Sequence, residues 1–169
     1  MQDAKQICDR YGPLLWPTVY RILGDYAEAL DCCQDVLCEA MQHTAKREVN
    51  DSYLRWLATR RALDRLRRLK RSRDRLHGEA DVAESPEQAP GPAENAQYNE
   101  LIEHLRRGLA QLPSQQAEAF WLRCMEDLSY AEIAERLDAD ANTVGVLIHR
   151  AKARLQTLLG SFASDREVG

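Results

Sequence analysis

The chain has 169 residues, 44% of them hydrophobic and 30% charged, which is an ordinary balance for a globular protein. No apolar run approaches the roughly 20 residues that a membrane-spanning helix needs, and residues 1–12 lack the apolar segment of a signal peptide. An integral membrane protein, a collagen-like fibre and a fully disordered chain are therefore excluded, and no membrane insertion is expected. The five cysteines follow no disulfide-like spacing, which favours a reducing, cytoplasmic location and predicts neither a metal site nor a cofactor.

The net charge of −4 conceals an uneven distribution of charge along the sequence. Residues 55–75 contain ten basic and two acidic side chains, whereas residues 76–100 contain six acidic side chains and no Lys or Arg. Such asymmetry within an acidic protein predicts one cationic surface that binds a polyanion.

Apolar residues recur at helical spacing almost throughout, and alternating strand-like runs are absent, so the predicted fold class is all-α. A first helix is predicted at 3–23, and Pro13 and Pro17 should break or kink it. Gly24 begins a turn, after which Asp25 and Glu28 indicate a capping box for a helix at 26–43. A polar loop at 44–52 then leads to a long helix at 53–75.

The helix at 53–75 carries the cationic segment. Its apolar stripe faces a core and consists of Leu54, Ala58, Ala62, Leu66 and Leu69. The arginines project elsewhere and would repel one another without a polyanion, so phosphate binding is favoured over a merely solvated face. Trp56 lies on the basic side, where it either stacks on an unpaired base or packs against a neighbouring helix.

Residues 77–96 differ in character from the rest of the chain. They contain three prolines, two glycines and no Lys or Arg, and their only sizeable apolar side chain is Val82. This composition predicts a flexible, acidic, Pro-rich linker between two small helical domains, at 1–76 and 97–160. In the free protein the acidic linker is expected to fold back onto the cationic helix and mask it.

The second domain is predicted to contain a helix-turn-helix. Helices are expected at 97–111, 112–125, 133–137 and 143–159, with Ser129 and Glu132 as a capping box and Gly160 as the final stop. The last helix has an apolar stripe through Val144 and Ile148, and its opposite face is partly basic. A DNA-binding helix-turn-helix is favoured over a plain antiparallel bundle with a basic wet face.

Several stretches, taken in order, resemble a known family. The run ILGD at 22–25 followed by ALDCCQDVL at 29–37 is similar to its region 2 pattern G-D-x-x-x-A-E-D-x-x-Q-E-x-F. The run RRALDRLRR at 60–68 is similar to its N-x-A-x-D-x-x-R-R. Leu112-Pro113, LSYAEIA at 128–134, Thr143-Val144 and HRA at 149–151 resemble its region 4. On these motifs and their order across an acidic linker, the chain resembles the extracytoplasmic-function (ECF) sigma factors of the sigma-70 superfamily.

The resemblance implies a non-catalytic role in transcription initiation. Region 2 of such proteins binds the β′ clamp of RNA polymerase and recognises and melts the promoter −10 element, whereas region 4 binds the β flap and the −35 element. The implied partners are RNA polymerase core, promoter DNA and, as an open question, an anti-sigma factor. The implied polymerase-binding residues are Asp31, Gln34 and Asp35. The implied −10 residues are Arg55, Trp56, Arg60, Arg61, Arg67, Arg68 and Arg71, and the implied −35 residues are Tyr130, Asn142, Thr143, Val146, His149, Arg150 and Arg154.

Some positions depart from the family pattern. Leu30 and Leu37 stand where Glu and Phe are usual, and Arg60 replaces the typical Asn. Gly145-Val146-Leu147 stands where the family has Lys-Ser-Arg in the helix that reads the −35 element. Because glycine lowers helix propensity and valine offers only apolar contacts, we expect weak or relaxed −35 recognition in which phosphate contacts dominate.

Two other function classes remain as alternatives. A polymerase-independent helix-turn-helix regulator that binds operator DNA as a dimer would account for residues 112–159 but not for the cationic helix. A nuclease or other enzyme is disfavoured, since the sequence has no H-E-x-x-H motif and no glycine-rich phosphate loop.

Overall fold

The computed structural model describes residues 4–43, 49–76 and 96–167, and its regular secondary structure in these ranges is entirely α-helical, as predicted. The helices are α1 (Ala4–Leu23), α2 (Tyr26–His43), α3 (Asp51–Leu76), α4 (Ala96–Gln111), α5 (Ser114–Cys124), α6 (Tyr130–Leu137) and α7 (Ala141–Glu167). The predicted linker at 77–96, apart from its last residue, lies outside the described residues, and so does its predicted folding back onto the cationic helix.

No helix in the described ranges combines the length and the apolar character that crossing a membrane requires.

Helix α1 is a single helix, although its two prolines were expected to break or kink it. Pro13 and Pro17 are four residues apart and both are exposed, so the backbone hydrogen bonds that they remove lie on the solvent side. The opposite side carries Leu15, Val19 and Ile22, all of them fully buried. Packing of this apolar side against α2 and α3 outweighs the local cost of the prolines, so the prediction of a break is wrong, whereas the alternative of a kink stays a prediction.

The predicted caps of α2 and α6 form because their chemistry is local. Asp25 accepts a hydrogen bond at Oδ1 from the backbone N–H of Glu28, at 2.9 Å, and begins α2. This is one half of the predicted capping box, and the Glu28 carboxylate, which would supply the other half, binds Arg65. Ser129 and Glu132 form a complete capping box, in which each side chain accepts from the backbone N–H of the other residue. The turn before α7 uses a left-handed Asp138, with φ of 51°, and Asp140 as the N-cap.

The end of α7 differs from the prediction. Gly160 was expected to stop the last helix, but α7 continues to Glu167. Glycine lowers helix propensity by about 1 kcal/mol relative to alanine, which is too little to end a helix when no competing turn is available. The predicted boundary at residue 160 is therefore wrong for this helix.

Helix α3 is the centre of the fold because other helices cover it on two sides. Helices α1 and α2 pack on one side, and α4, α5 and α6 contact the other. Leu54, Ala58 and Ala62 of the predicted stripe are fully buried, and Leu57 and Leu63, which lie off that stripe, are also buried. Their burial shows that α3 is covered over a wider part of its circumference than the predicted stripe.

The core is continuous between the helices before and after the linker. Leu109, Leu112 and Trp121 belong to the same buried cluster as Leu15 and Leu54. A second cluster lies within the helix-turn-helix and joins α5, α6 and α7. The α1–α3 unit and the α4–α7 unit therefore pack directly on each other.

The five cysteines divide into two buried and three exposed thiols. Burial raises the pKa of the Cys32 thiol to about 12 and that of Cys33 to about 11, whereas Cys8, Cys38 and Cys124 are exposed. Because the thiolate is the reactive form, we expect a chromogenic disulfide reagent at neutral pH to titrate three thiols quickly and two at least ~100-fold more slowly. Five equally fast thiols in the native chain would contradict this packing, and denaturant should make all five equivalent.

Candidate nucleic-acid and polymerase interface

The seven residues predicted to bind the −10 element form what we call the α3 basic surface: Arg55, Trp56, Arg60, Arg61, Arg67, Arg68 and Arg71. All lie on α3, and Arg60, Arg61, Arg68 and Arg71 are exposed. An open cleft of about 600 Å³ runs beside Arg61, Arg67, Arg68 and Arg71, where α3 approaches Ala110 and Ser114. A cationic groove of this kind suits a phosphate backbone.

Trp56 has a packing role in this structure. Its ring is half-buried and contacts both hydrophobic clusters, while the Arg60 guanidinium lies 5.5 Å from the ring centroid. The buried indole N–H lies close enough to the Glu118 carboxyl to influence it but makes no hydrogen bond of good geometry. Of the two interpretations of Trp56, packing against a neighbouring helix describes this arrangement.

Three other members of the α3 basic surface are paired within the chain. Arg55 Nη1 lies 2.8 Å from Oε2 of Glu126 in the α5–α6 turn. Arg67 donates weakly to the Leu112 carbonyl at 3.5 Å and contacts Asp64 at 3.3 Å, and Arg61 pairs with Glu39 of α2 through Nε at 2.7 Å. The predicted −10 residues therefore lie on one helix, but Arg55, Arg61 and Arg67 are already paired with other groups of the chain.

The predicted polymerase-binding residues lie on the outer side of α2. Asp31, Gln34 and Asp35 are exposed, with 63% of the Asp31 side chain and 70% of the Asp35 side chain accessible. Arg65 of α3 lies 3.4 Å and 3.3 Å from these two carboxylates and binds Glu28 more closely, at 2.5 Å. The result is an accessible acidic edge that a basic partner surface can reach.

Arg65 was not distinguished from the other arginines by the sequence. It is the only residue of the RRALDRLRR run that contacts three carboxylates of α2, and its hydrogen bond to Glu28 raises the pKa of its guanidinium. The N-cap position of Asp25, which places Glu28 in the first turn of α2, was the available signal.

The predicted −35 residues cluster on the outer faces of α6 and α7. Asn142, Thr143, His149, Arg150 and Arg154 are all exposed. Tyr130 and Val146 are exposed large side chains, with 41% and 46% of their surface accessible. The buried positions Val144 and Ile148 hold the helix against α5 and α6 through the second cluster, so the face with the predicted −35 residues points outward.

The three departures from the family pattern in α7 are not equally placed. Val146 is exposed, Gly145 is half-buried, and Leu147 packs against the second cluster. A Cβ atom at Gly145 would lie 3.6 Å from the ring of Tyr130, an ordinary contact, so the helix has room for a larger residue. The exposed surface of this segment is therefore nearly without hydrogen-bond donors from side chains.

Glu118 of α5 is a buried carboxyl on the interface with α3. Burial raises its pKa above the ordinary value, although Arg60 and Arg67 act in the opposite direction. A raised native pKa contributes stability below the ordinary carboxyl range, and this stability is lost as the pH rises through the native pKa. We therefore expect Glu118→Gln to increase the free energy of unfolding at neutral pH and to have little effect in acid.

A chemical-denaturation series across pH tests this expectation, and Glu132→Gln is the control. Hydrogen bonds from Ser129 lower the pKa of Glu132, so its stabilisation is present above the ordinary carboxyl range and is lost as the pH falls. The two variants should change stability at neutral pH in opposite directions. A loss of stability in both at neutral pH would contradict the assigned burial of Glu118.

Family models match both halves of the chain. The model for Sigma-70 region 2 matches residues 7–72, which span most of α1, all of α2 and most of α3. The model for Sigma-70, region 4 matches residues 102–155, from α4 into α7. A three-helix unit with a basic third helix, followed by a helix-turn-helix, thus defines a sigma-70-type initiation factor, a class that is not enzymatic.

Curated relatives define the group more closely. The chain is 30% identical to the ECF RNA polymerase sigma factor SigL of Mycobacterium tuberculosis over 168 residues, which cover 96% of this chain and 92% of SigL. It is 29% identical to the ECF RNA polymerase sigma factor SigW of Bacillus subtilis over 171 residues, 94% of this chain and 90% of SigW. The chain belongs to the ECF sigma factor family.

A solved structure shares the fold. The sigma factor RpoE from Bartonella quintana, in its complex with the anti-sigma factor NepR, matches with a TM-score of 0.58 and 23% sequence identity. The match covers 95% of this chain and 98% of RpoE. The all-helical architecture is therefore one that a sigma factor adopts.

Proposed function

We propose that this ECF sigma factor binds RNA polymerase core through α2, melts the −10 element with the α3 basic surface, and contacts the −35 element with α6 and α7. In this role the protein catalyses no reaction itself and acts in the cytoplasm. RpoE of Bartonella quintana is bound to an anti-sigma factor, and we extend that class of partner to this chain.

The acidic edge of α2 supports the polymerase contact. Asp31 and Asp35 keep most of their side-chain surface accessible, and Gln34 lies exposed between them. Exposed charges at the rim of an interface steer association and select partners of opposite charge. A basic surface on the β′ clamp is therefore the complement that we propose.

The α3 basic surface supports the contact with the melted strand. Arg60, Arg68 and Arg71 are exposed and bind no carboxylate among the described residues. Arginine suits phosphate because its planar guanidinium donates two parallel hydrogen bonds. Phosphate contacts of this kind offset the few kcal/mol that unstacking a base requires. This exposed arginine row, on the same chain as a helix-turn-helix, is the observation that carries the proposal.

The −35 contact is proposed to be weak and to depend mainly on phosphates. Arg150 and Arg154 are exposed donors on α7, whereas Val146 presents only apolar surface. Each base pair in a specific site is typically worth ~1–3 kcal/mol. For base substitutions in the −35 element we expect losses of binding free energy at the low end of this range, because residues 145–147 offer no side-chain hydrogen-bond donor.

The experiment that tests the polymerase contact uses Asp31→Asn together with Asp35→Asn. Two neutral amides keep the shape of the α2 edge but remove its charge, so we expect affinity for core RNA polymerase to fall about tenfold, mainly through slower association. Fluorescence anisotropy of the labelled chain against core, at two salt concentrations, measures this.

Asp9→Asn is the control for loss of an exposed carboxylate, because Asp9 is exposed on α1 and does not belong to the acidic edge of α2. It should leave the affinity for core within about twofold. Equal affinities of the double variant and the control would remove the α2 edge from the interface. Absence of any binding to core by the wild-type chain would overturn the proposed function as a whole.

A further inference from the structure

Val146 lies at the centre of the exposed face of α7. It is two positions from each of the buried residues Val144 and Ile148, which places it on the opposite side of the helix. The predicted −35 residues Asn142 and Arg150 lie four positions before and after it, are also exposed, and share its face. A duplex that both of these residues contact therefore covers Val146.

The apolar surface of Val146 continues onto α6. The preceding residue is Gly145, and a Cβ atom at this position would lie 3.6 Å from Cε2 of Tyr130. The exposed Tyr130 ring thus lies beside a stretch of α7 that carries no side chain. We call Val146, Gly145 and Tyr130 the α6–α7 apolar patch. Among the side chains of its three members, only the Tyr130 hydroxyl can form a hydrogen bond.

Cations border the α6–α7 apolar patch and can hold a phosphate backbone. Arg123 of α5 is exposed, its guanidinium lies 5.5 Å from the Tyr130 ring centroid, and its Nη1 donates to the Leu128 carbonyl at 3.1 Å. Arg150 and Arg154 are exposed farther along α7. Phosphate contacts fix the position of a protein on the duplex, whereas contacts with base edges carry the sequence information. The base edge that lies against the patch is then read by apolar contact.

A C5-methyl group is the base feature that suits such a contact. Guanine, adenine and cytosine present hydrogen-bond donors or acceptors in the major groove, and thymine presents a methyl group beside its O4 acceptor. An apolar side chain that covers a polar base edge leaves that edge without a partner, which is unfavourable. Val146 can pack against a methyl group without this cost. 5-Methylcytosine carries the same methyl group at the same ring position as thymine.

We propose that the α6–α7 apolar patch reads the C5-methyl group of a pyrimidine, with Val146 as the specificity-determining residue. The chain then prefers thymine at the base pair beneath the patch and accepts 5-methylcytosine in its place, so that cytosine methylation at this position strengthens promoter binding. The proposal rests on the proposed contact of α6 and α7 with the −35 element and names the base feature that this contact recognises. Burying one methyl group is expected to change affinity about fourfold.

The test compares pools of DNA duplexes that differ only in their methyl groups. Each pool has a randomised segment long enough to hold both promoter elements. The first pool is amplified with dTTP, the second with dUTP in its place, and the third with dUTP and with 5-methyl-dCTP in place of dCTP. The full chain selects duplexes from each pool, with core RNA polymerase and, in a parallel arm, without it. Sequencing of the bound and input pools gives the enrichment of each base at each position.

The wild-type chain is expected to enrich thymine about fourfold at the position beneath the patch in the first pool. This enrichment should disappear in the second pool, where uracil lacks the methyl group. Cytosine should be enriched by the same factor at the same position in the third pool, where cytosine is the base that carries it.

Variants of Val146 assign the preference to the patch. Val146→Ser removes the apolar contact and should abolish the methyl preference, whereas Val146→Ile retains the contact and should keep it. Leu101→Ser is the matched control, since Leu101 is 49% exposed, against 46% for Val146, and lies on α4 of the same unit. Helix α4 meets α7 where Gly108 lies against Leu155, so the control should retain the preference of the wild-type chain.

Equal enrichment of thymine and uracil by the wild-type chain at every position would overturn the proposal. A methyl preference that persists unchanged in Val146→Ser would overturn it too, because another residue would then read the methyl group. The two arms separate this proposal from the proposed function. A Val146-dependent methyl preference of the chain alone, without a complex with core, would retain the readout and remove the sigma activity. Promoter selection with core but without a methyl preference would retain the sigma activity and remove the readout, and selection of no duplex in either arm would overturn both.

Discussion

Replacing Arg60 and Arg71 together by alanine is expected to lower promoter opening by the polymerase complex about 100-fold. Both side chains are exposed on the α3 basic surface and have no carboxylate partner among the described residues. An arginine contact to nucleic acid is typically worth ~1–3 kcal/mol, and each 1.4 kcal/mol is about tenfold, so two contacts give the expected factor. The salt dependence of binding should also fall, with a slope smaller by about 1.4 if both residues contact single-stranded phosphates.

The matched control for this prediction replaces Arg73 and Arg107 by alanine. Both are exposed arginines, Arg73 in the last turn of α3 and Arg107 on α4, and both lie outside the α3 basic surface. The control changes the net charge equally and should leave promoter opening within about threefold. Permanganate reactivity of unpaired thymines measures opening directly. Equal losses in the two double variants would show a general charge effect in place of a −10 contact.

Trp121→Ala is expected to destabilise the chain by about 3–5 kcal/mol, a range typical of removing a buried large aromatic residue. Trp121 is 2% exposed, belongs to the cluster shared by both units, and donates its indole N–H to Glu126. Its loss leaves a cavity at the junction and removes one hydrogen bond from a buried carboxylate. Urea denaturation followed by circular dichroism gives the change in midpoint and slope.

Trp16→Ala is the comparison for Trp121→Ala. Trp16 is half-buried and contacts Tyr20 and Tyr26 near the surface, at ring-centroid distances of 5.6 Å and 5.2 Å. Its removal should cost about 1–2 kcal/mol, since less apolar surface is returned to water. If Trp121→Ala were no more destabilising than Trp16→Ala, Trp121 would not join the two units in solution.

The helices and their caps were largely predictable because they depend on local chemistry. The Asp25 cap and the box of Ser129 with Glu132 require only residues three positions apart, and the bounds of α2 agree with the predicted range. The errors at Pro13 and Gly160 have one cause. Both residues disfavour a helix locally, and packing or the lack of a competing turn outweighs a local preference.

The packing of α5 on α3 was not predictable from the periodicity of either helix. Leu57 and Leu63 lie off the predicted stripe but are buried, and α3 contacts α4, α5 and α6, which are far away in sequence. The position of Trp56 on the basic side was a signal of a second covered face. Of the two interpretations of Trp56, only packing against a neighbouring helix was consistent with such a second covered face.

In the candidate site, too, local features were predictable from the sequence and long-range contacts were not. The exposure of Arg60, Arg71 and Asp35 follows from helical spacing, and the sequence was sufficient to predict it. The pairing of Arg55 with Glu126 joins residues 71 positions apart, and nothing in the local sequence marks Glu126 as a partner. Sequence reasoning thus found the α3 basic surface and missed Glu126, the carboxylate that pairs with Arg55 at its edge.

The most direct test of the central claim is transcription in vitro with purified core RNA polymerase, with and without this chain, on a library of promoter fragments. The account predicts initiation at defined start sites only when the chain is present, with strong base preferences at the −10 element and weak ones at the −35 element. No complex with core, together with binding of a dimer to palindromic DNA, would contradict the account and favour a helix-turn-helix regulator that acts without the polymerase.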